Sequence, residues 1–153
     1  MKTEAGKREL SIRPYHPNLR EQMIDVWEKS VRATHHFVTA TDLERIKKLV
    51  HQIDFSAFSV YCLMDQNEVV GFLGVADATI ESLFLHPDLI GQGHGRRLVK
   101  FAFDMLKADK VNVNEQNVHA VAFYSKLGFK TYERTDKDPE GNDYPILKMK
   151  LTG

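Results

Sequence analysis

"LFLHPDLIGQGHGRRLV", residues 83–99, joins an apolar run to a helix-like pattern through three closely spaced glycines. Gly91, Gly93 and Gly95 alternate with other residues, although glycine loses more backbone entropy on folding than any other residue type. Such a loop is favoured where a ligand, often a phosphate, approaches bare backbone N–H groups at the start of a helix. The stretch therefore predicts a strand, a phosphate-binding loop and a helix in succession.

Two common phosphate-binding motifs do not fit this loop. A P-loop has Lys and then Ser or Thr after its second glycine, but Arg96 and Arg97 follow Gly95, so no hydroxyl is placed to hold Mg²⁺. The dinucleotide fingerprint needs a glycine where Arg96 stands. The remaining interpretation is a pyrophosphate held by the N–H groups of a helix N-terminus, and a merely flexible turn is the alternative.

The flanking sequence predicts an α/β fold. Apolar and alternating runs predict strands at residues 10–15, 58–64, 69–76, 79–86, 110–115, 129–134 and 144–151. Helical spacing predicts one helix from Pro17, a second with a capping box at Thr41, a third after the glycine loop, and a fourth over 117–128 that ends at Gly128. The order β-αα-β-β-β-α-β-α-β-β favours a mixed sheet over a doubly wound parallel one.

Two segments resemble motifs of the GNAT superfamily of N-acetyltransferases. The glycine stretch at 83–99 resembles its acetyl-CoA pyrophosphate loop, and "VNVNEQNVHAVAFYSKLGF" at 111–129 resembles its Asn-containing strand end and the helix that follows. "SVRATHHFVTA" (30–40) and "YPILKM" (144–149) further resemble a bacterial YjaB-like branch. The resemblance implies a single acetyltransferase domain over 1–153, with a mostly antiparallel sheet of about seven strands flanked by four helices.

The resemblance also implies acetyl-CoA as co-substrate. The residues expected to bind it are Leu83, Leu85, Gly91, Gln92, Gly93, His94, Gly95, Arg96, Asn114, Asn117 and Tyr124. The backbone groups of Leu83 and Leu85 would pair with the pantetheine amides as an added strand. Ile90 stands where the superfamily usually has Arg or Gln, so we expect weakened cofactor binding, for which Arg96 and Arg97 partly compensate.

Tyr124 and Glu81 are the candidate catalytic residues. The resemblance gives Tyr124 the role of proton donor to the departing thiolate, and its spacing from Asn117 predicts that both share one helix face. Strand alternation predicts that Glu81 shares a face with Leu83 and Leu85, where a carboxylate is costly unless it is paired or borders a cleft. Glu81, directly or through a water, is therefore the candidate general base. The alternatives are a core tyrosine and a solvated strand-end glutamate.

The acceptor site is expected between the first two helices, because these border the acceptor cleft in the superfamily. Trp27, His35, His36, Phe37 and Tyr144 are the candidates to line it, and helix capping or packing is the alternative for each. Adjacent histidines do not have helical ligand spacing and no Cys or carboxylate cluster accompanies them, so we predict no metal.

Composition restricts the partners. Lys and Arg together number 21, as do Asp and Glu, so the formal net charge is zero and neither nucleic acid nor an anionic membrane is an expected partner. Cys62, the single cysteine, predicts a buried thiol, and the start "MKTEAGKREL" lacks the apolar core of a secretory signal. We therefore expect a cytoplasmic monomer or homodimer.

The expected activity is direct transfer of an acetyl group, in a ternary complex, from acetyl-CoA to a primary amine of a small molecule or a peptide. The alternative is a non-catalytic acyl-CoA-binding or regulatory module, which Ile90 favours.

Overall fold

The computed structural model describes residues 9–152, which form one seven-stranded sheet. The strands are β1 (Ser11–Pro14), β2 (Ser59–Asp65), β3 (Glu68–Ala76), β4 (Thr79–Leu85), β5 (Lys110–Asn114), β6 (Phe129–Thr135) and β7 (Ile146–Leu151). They lie in the order β1-β2-β3-β4-β5-β7-β6, and only β4 and β5 pair in parallel. The predicted mixed, mostly antiparallel sheet is confirmed. Residues 1–8, which are most of the start that lacks the apolar core of a secretory signal, lie outside the described residues, as does residue 153, the last of the expected 1–153 domain.

Four helices of the described chain cover the two faces of the sheet. They are α1 (Arg20–Thr34), α2 (Ala40–Val50), α3 (His94–Leu106) and α4 (Val118–Lys126). Phe72 packs with residues of α1 and α2, whereas its neighbour Leu73 packs with residues of α3 and α4, because successive side chains of a strand point to opposite faces. Cys62 is fully buried in the first cluster, as predicted, and burial raises the pKa of its thiol to about 12.

The predicted cap of α2 is wrong by two residues. Thr39, not Thr41, has the extended backbone of an N-cap, and its Oγ1 accepts a hydrogen bond of 3.1 Å from the N–H of Asp42. Both threonines carry the same capping hydroxyl, so the sequence did not distinguish them.

The predicted start of the fourth helix at Asn117 is wrong by one residue. Asn117 precedes α4 with a non-helical backbone, and its Oδ1 accepts a hydrogen bond of 3.2 Å from the N–H of Ala120. Asn117 therefore caps α4 rather than lying within it. The predicted stop at Gly128 is confirmed, because α4 ends before this glycine, whose φ of 99° is left-handed.

The two parallel strands separate soon after they meet. β4 pairs with β5 only through Thr79 with Lys110 and Ile80 with Val111, and α3 provides the crossover between them. Beyond Ile80 the outer edge of β4 has no strand partner in the described chain, and β5 continues beside β7 instead. The sheet therefore opens into a wedge between β4 and β5.

A β-bulge in β4 places Glu81 differently from the predicted alternation. Val75 pairs with Ile80 and Gly74 pairs with Ser82, so Glu81 has no partner on β3. The extra residue shifts the side-chain alternation. Ile80, like Leu83 further along, packs on the α3 and α4 side, whereas Glu81 and Ser82 line a cavity with residues of α1 and α2. The prediction that Glu81 shares the face of Leu83 and Leu85 is therefore wrong.

Close packing between β3 and β4 makes Gly71 sensitive to any side chain. A Cβ at Gly71 would lie 2.8 Å from Leu85 Cδ2 and 3.0 Å from the backbone oxygen of Phe84. We expect Gly71→Ala to lower the free energy of unfolding by about 1–3 kcal/mol, measured by urea denaturation. Gly95→Ala is the matched control, because its Cβ would meet Phe123 Cζ at an ordinary 3.4 Å. Equal midpoints for Gly71→Ala and the parent would contradict the close packing.

Candidate active site

The glycine loop ends in an open helix N-terminus. Gly91 and Gly93 have φ values of 82° and 91°, a region that disfavours other residues, and Gly93 is the N-cap of α3 without a side-chain cap. A Cβ at either position would meet no atom of the described chain within 4 Å. The first N–H groups of α3 therefore face open space, with the positive end of the helix dipole behind them.

Gly95 serves a different purpose from the other two glycines. Its φ is not in the left-handed region, and a Cβ there would lie 3.4 Å from Phe123 Cζ and 3.8 Å from Leu85 Cδ1. Gly95 thus brings the first turn of α3 close to α4 and β4. Only two of the three glycines are required by the backbone conformation.

A cavity of about 500 Å³ extends from this loop along the open edge of β4. Its walls come from the end of α1, from β4, from the glycine loop and from α4. The lining residues are Ser30, Thr34, His35, Leu83, Phe84, Leu85, Ile90, Gly91, Gly93, Gly95, Arg96, Asn117, His119, Ala120, Phe123, Tyr124, Lys126 and Leu127. This length of apolar wall with a helix N-terminus at one end suits an extended ligand with an anionic group.

A smaller cavity of about 110 Å³ lies at the base of the wedge between β4 and β5. It is lined by both strands, including Glu81, Asn112 and Asn114, and it shares six lining residues with the larger cavity, His35 and Tyr124 among them. The two cavities are therefore neighbours, and these two side chains lie where they meet.

Tyr124 is 5% exposed, and its ring packs edge-on against Phe123 and Phe129, with centroids 5.0 and 5.6 Å away. Its hydroxyl has no hydrogen-bond partner within the described residues. No fully buried polar side-chain atom of residues 9–152 lacks a partner, so the Tyr124 hydroxyl is not fully buried. It therefore borders the cavity. Burial raises the pKa of this phenol above its usual 10, so the hydroxyl keeps its proton.

Glu81 borders two cavities from the bulge in β4. Its carboxylate oxygens lie 3.4 and 3.5 Å from Asn112 Nδ2. Partial desolvation raises the pKa of this carboxyl, and the contact with Asn112 opposes the change. Of the two cavities that Glu81 borders, one is the 110 Å³ cavity, and the other, of about 200 Å³, is also lined by Trp27 and Met23 of α1 and by Ile53 beyond α2.

His35 is held rigidly at the end of α1. Its N–H donates to Val31 O at 2.8 Å and its carbonyl accepts from Val38 N–H at 3.0 Å. Its ring lies 5.3 Å from that of Phe37 and 6.3 Å from that of Phe84. Burial, and to a lesser extent the neighbouring His36, lower the pKa of His35 to about 4, so the imidazole is neutral at pH 7.

The structure brings together only part of the predicted cofactor set. The Gln92 amide folds back to donate to Asp88 O at 2.6 Å, and it does not line the cavity. Partial burial lowers the pKa of His94, which does not line the cavity either. Arg97 donates to the backbone oxygen of Leu10 at 2.7 Å, so only Arg96 of the two arginines lines it. Ile90, 45% exposed, lines the cavity with an apolar side chain.

The five predicted acceptor residues separate in the structure. Trp27 lines the 200 Å³ cavity and His35 lines the other two, whereas His36, Phe37 and Tyr144 line none of these three cavities. Tyr144 is 8% exposed, and its hydroxyl donates a hydrogen bond of 2.5 Å to Asp42 Oδ2, which links the segment before β7 to α2.

Sequence reasoning missed Thr34, Ser30 and Asn112. The sequence could have identified Asn112, because it lies two residues before the predicted Asn114 in β5 and therefore on the same face of the strand. No sequence signal identifies Thr34 and Ser30, since their side chains reach the cavity only through the geometry of the α1 end.

Residues 9–152 contain neither a metal-binding cluster nor a membrane-spanning helix. No group of three or more His, Cys, Asp or Glu residues in that range is arranged to hold a metal ion. No helix there is long and apolar enough to cross a membrane.

The chain is similar to known acetyltransferases in sequence and in fold. Residues 20–152 match the family described as "Acetyltransferase (GNAT) domain". The peptidyl-lysine N-acetyltransferase YjaB of Salmonella typhimurium is 38% identical over 129 residues, which are 84% of this chain and 89% of that protein. The solution structure of apo-form YjaB from Escherichia coli superposes with a TM-score of 0.86 at 34% identity and covers 95% of this chain and 99% of the other.

A more distant structure shares the fold alone. PaiA N-acetyltransferase from Thermoplasma acidophilum, solved in complex with coenzyme A, has a TM-score of 0.72 at 21% identity and covers 94% of this chain and 99% of that one.

Proposed function

The chain belongs to the GNAT family and is an N-acetyltransferase, and we propose that it transfers the acetyl group of acetyl-CoA directly to lysine side chains of a peptide or protein in a ternary complex. One observation carries the proposal: the open edge of β4 and the open N-terminus of α3 line one continuous cavity. The runner-up is a non-catalytic acyl-CoA-binding module, which the apolar Ile90 favours.

The proposed position of acetyl-CoA follows the walls of the 500 Å³ cavity. The pyrophosphate lies on the first N–H groups of α3, with Arg96 beside it. The pantetheine amides pair with the backbone of Leu83 and Leu85 along the open edge of β4, in the manner of an added strand. Asn117 Nδ2 remains free to donate, since only Oδ1 is used in capping α4. Asn114 reaches the cavity at the base of the wedge, where the thioester would lie.

Proton transfers are proposed for two side chains of this cleft. Tyr124 carries a proton at neutral pH and borders both cavities, so it can donate that proton to the departing thiolate. Glu81 has a raised pKa and an exposed position, so it can take a proton, directly or through water, from the arriving ammonium group. A lysine amine needs such a group because its usual pKa is about 10.4.

The proposed acceptor is a lysine on a peptide, and two features of the chain support it. The YjaB relative is a peptidyl-lysine N-acetyltransferase by name. The 200 Å³ cavity beside Glu81 has an apolar wall that includes Trp27, which suits the methylene stem of lysine with the amine near the carboxylate. With a net charge of zero and no membrane-spanning helix in the described part, we also propose a cytoplasmic location and no nucleic-acid partner.

A thiol-release assay tests the function. We expect the purified protein to release CoA thiol from acetyl-CoA with a lysine-containing peptide whose α-amine is blocked, and the peptide to gain the mass of one acetyl group. The same peptide with Nε-acetyl-lysine, or with Arg in place of Lys, is the control and releases no thiol. Binding of CoA without thiol release from a broad panel of amines and peptides would favour the non-catalytic module.

Tyr124→Phe separates chemistry from binding. The change removes one hydroxyl and keeps the ring in its contacts with Phe123 and Phe129. We expect kcat to fall by about ten- to a thousand-fold while the Kd for CoA stays near that of the parent, because the hydroxyl acts mainly in the transition state. Phe123→Leu is a packing control, expected to weaken CoA binding as well. An unchanged kcat in Tyr124→Phe would remove this hydroxyl from the mechanism.

Gly93→Ala tests the pyrophosphate site. The new Cβ would occupy the open space before α3, so we expect the rise in Tm caused by CoA to be lost, whereas ATP and NAD cause little rise in the parent. Gly141→Ala is a matched control, because Gly141 also has a positive φ, 85°, and an open Cβ position, but lies in the loop before β7. It carries the same backbone strain and should keep the CoA-induced shift. Loss of the shift in both variants would argue against a local effect.

A further inference from the structure

The hydrogen bonds at the end of α1 fix the tautomer of His35. Thr34 Oγ1 donates its single proton to Ser30 O at 2.7 Å. The same oxygen lies 2.7 Å from His35 Nδ1, so in that contact it accepts. A neutral imidazole carries one proton, and here it is on Nδ1. Nε2 therefore bears the lone pair, and it has no hydrogen-bond partner within the described residues.

His35 and Tyr124 approach the wedge from opposite sides of the sheet. α1 packs on one face and α4 on the other, yet both side chains line the 500 Å³ and 110 Å³ cavities, because β4 and β5 have separated between them. A thioester in the wedge would thus have a neutral imidazole on the α1 side and a phenol on the α4 side. Glu81 lines only the smaller of these two cavities.

We propose that His35 is a catalytic residue whose Nε2 accepts the proton that the acceptor nitrogen loses as it bonds to the thioester carbonyl carbon. This inference rests on the proposed function and deepens it. The nitrogen lone pair forms the C–N bond, the C–S bond breaks, and the electron pair of that bond leaves on sulfur. Sulfur takes the Tyr124 proton, nitrogen gives one proton to His35, and water returns a proton from His35 to Tyr124. The products are an amide and CoA thiol, so atoms and charges balance.

Glu81 and His35 accept different protons, because the acceptor nitrogen is a much weaker acid before it bonds to the carbonyl carbon than afterwards. The ammonium group of lysine is a weak acid and must lose its first proton before it attacks, a step for which the Glu81 carboxylate or water is available. Once the nitrogen is bonded to the carbonyl carbon it is cationic and far more acidic, so a weakly basic imidazole suffices for the second proton. Bound anionic CoA also favours the imidazolium that forms.

Other titratable groups share the surroundings of His35. They are His36 next in the chain, Glu81 on β4, Arg96 on α3, and His119, Tyr124 and Lys126 on α4. The rings that contact His35 directly, those of Phe37 and Phe84, do not titrate. A pH profile alone would not separate these groups, so the test removes Nε2 itself.

Two substitutions distinguish proton transfer from hydrogen bonding. His35→Asn keeps an amide N–H near the position of Nδ1, so the contact with Thr34 is retained while Nε2 is lost. His35→Gln places an amide oxygen near Nε2, which accepts a hydrogen bond but not a proton at neutral pH. We expect both to lower kcat by about a hundred- to ten-thousand-fold, with the Kd for CoA unchanged. Full activity in His35→Gln would overturn the proton-transfer role.

Chemical rescue distinguishes a proton acceptor from a structural residue, because added imidazole replaces a missing base but not missing packing. We expect His35→Ala to regain turnover with added imidazole, in proportion to its concentration, and to respond to the pKa of substituted imidazoles. Glu81→Gln should show no such rescue, and His51→Asn, an exposed histidine at the end of α2, should keep parent activity. If added imidazole does not rescue His35→Ala and His35→Asn is as active as the parent, the role of His35 is overturned but the proposed function is not. No thiol release by the parent with any amine overturns the proposed function as well.

The tautomer itself is measurable. Nitrogen-15 NMR of the imidazole should show a protonated Nδ1 in the parent and in Thr34→Ser, which keeps the hydroxyl. Thr34→Val removes the acceptor of the Nδ1 proton, so the tautomers should mix and kcat should fall partway. A protonated Nε2 in the parent would overturn the proposal regardless of turnover.

Discussion

The parallel pairing of β4 and β5 ends after two residue pairs, and the functional geometry depends on that early end. Each strand keeps a hydrogen-bonded partner on its other side, β3 for β4 and β7 for β5, so both strands remain in the sheet despite the gap. Backbone groups on the open edge of β4 need partners, because an unpaired polar group is costly away from water. A substrate that carries its own amides can pair with them, so the gap provides a binding surface.

The same gap places side chains from both faces of the sheet in one cleft. In a continuous sheet, residues packed under α1 and residues packed under α4 are separated by the sheet itself. Here His35 and Tyr124 both border the smaller cavity at the base of the wedge. Their separation across the opening suits a reaction in which one proton leaves the nucleophile and another reaches the leaving group.

The sequence predicted the parts of this arrangement that depend on local chemistry. Gly91 and Gly93 identified the loop, and their positive φ values are a property of glycine. The order of the elements along the chain and the mixed, mostly antiparallel sheet followed from the alternating runs and the resemblance. Tyr124 was found through its motif, and it borders the cleft. These features are encoded within a few neighbouring residues each.

The features that the sequence did not reveal depend on contacts between distant segments or on a single backbone torsion. The bulge at Glu81 arises from the register of β3 against β4, which no local pattern specifies. Asn117 and Tyr124 have helical spacing, but the helix starts one residue after Asn117. The tautomer of His35 follows from the distances between the Thr34 hydroxyl oxygen and its two neighbours, Ser30 O and His35 Nδ1, and the sequence does not contain these distances.

The segment before β7 makes hydrogen bonds to α2 on the acceptor side of the cleft. Tyr144 donates to Asp42, and Arg45 donates to Asn142, so the segment before β7 is joined to α2. The ring of Phe37 packs 5.9 Å from that of Tyr144, directly beyond the His35 turn. These contacts explain why Phe37 and Tyr144, two of the predicted acceptor residues, do not line the cavities: they fix the link between α1 and α2. Proton transfer over hydrogen-bonding distance tolerates little drift of the base. A base on the turn that ends α1 therefore needs this link, and its position follows from contacts more than a hundred residues away in sequence.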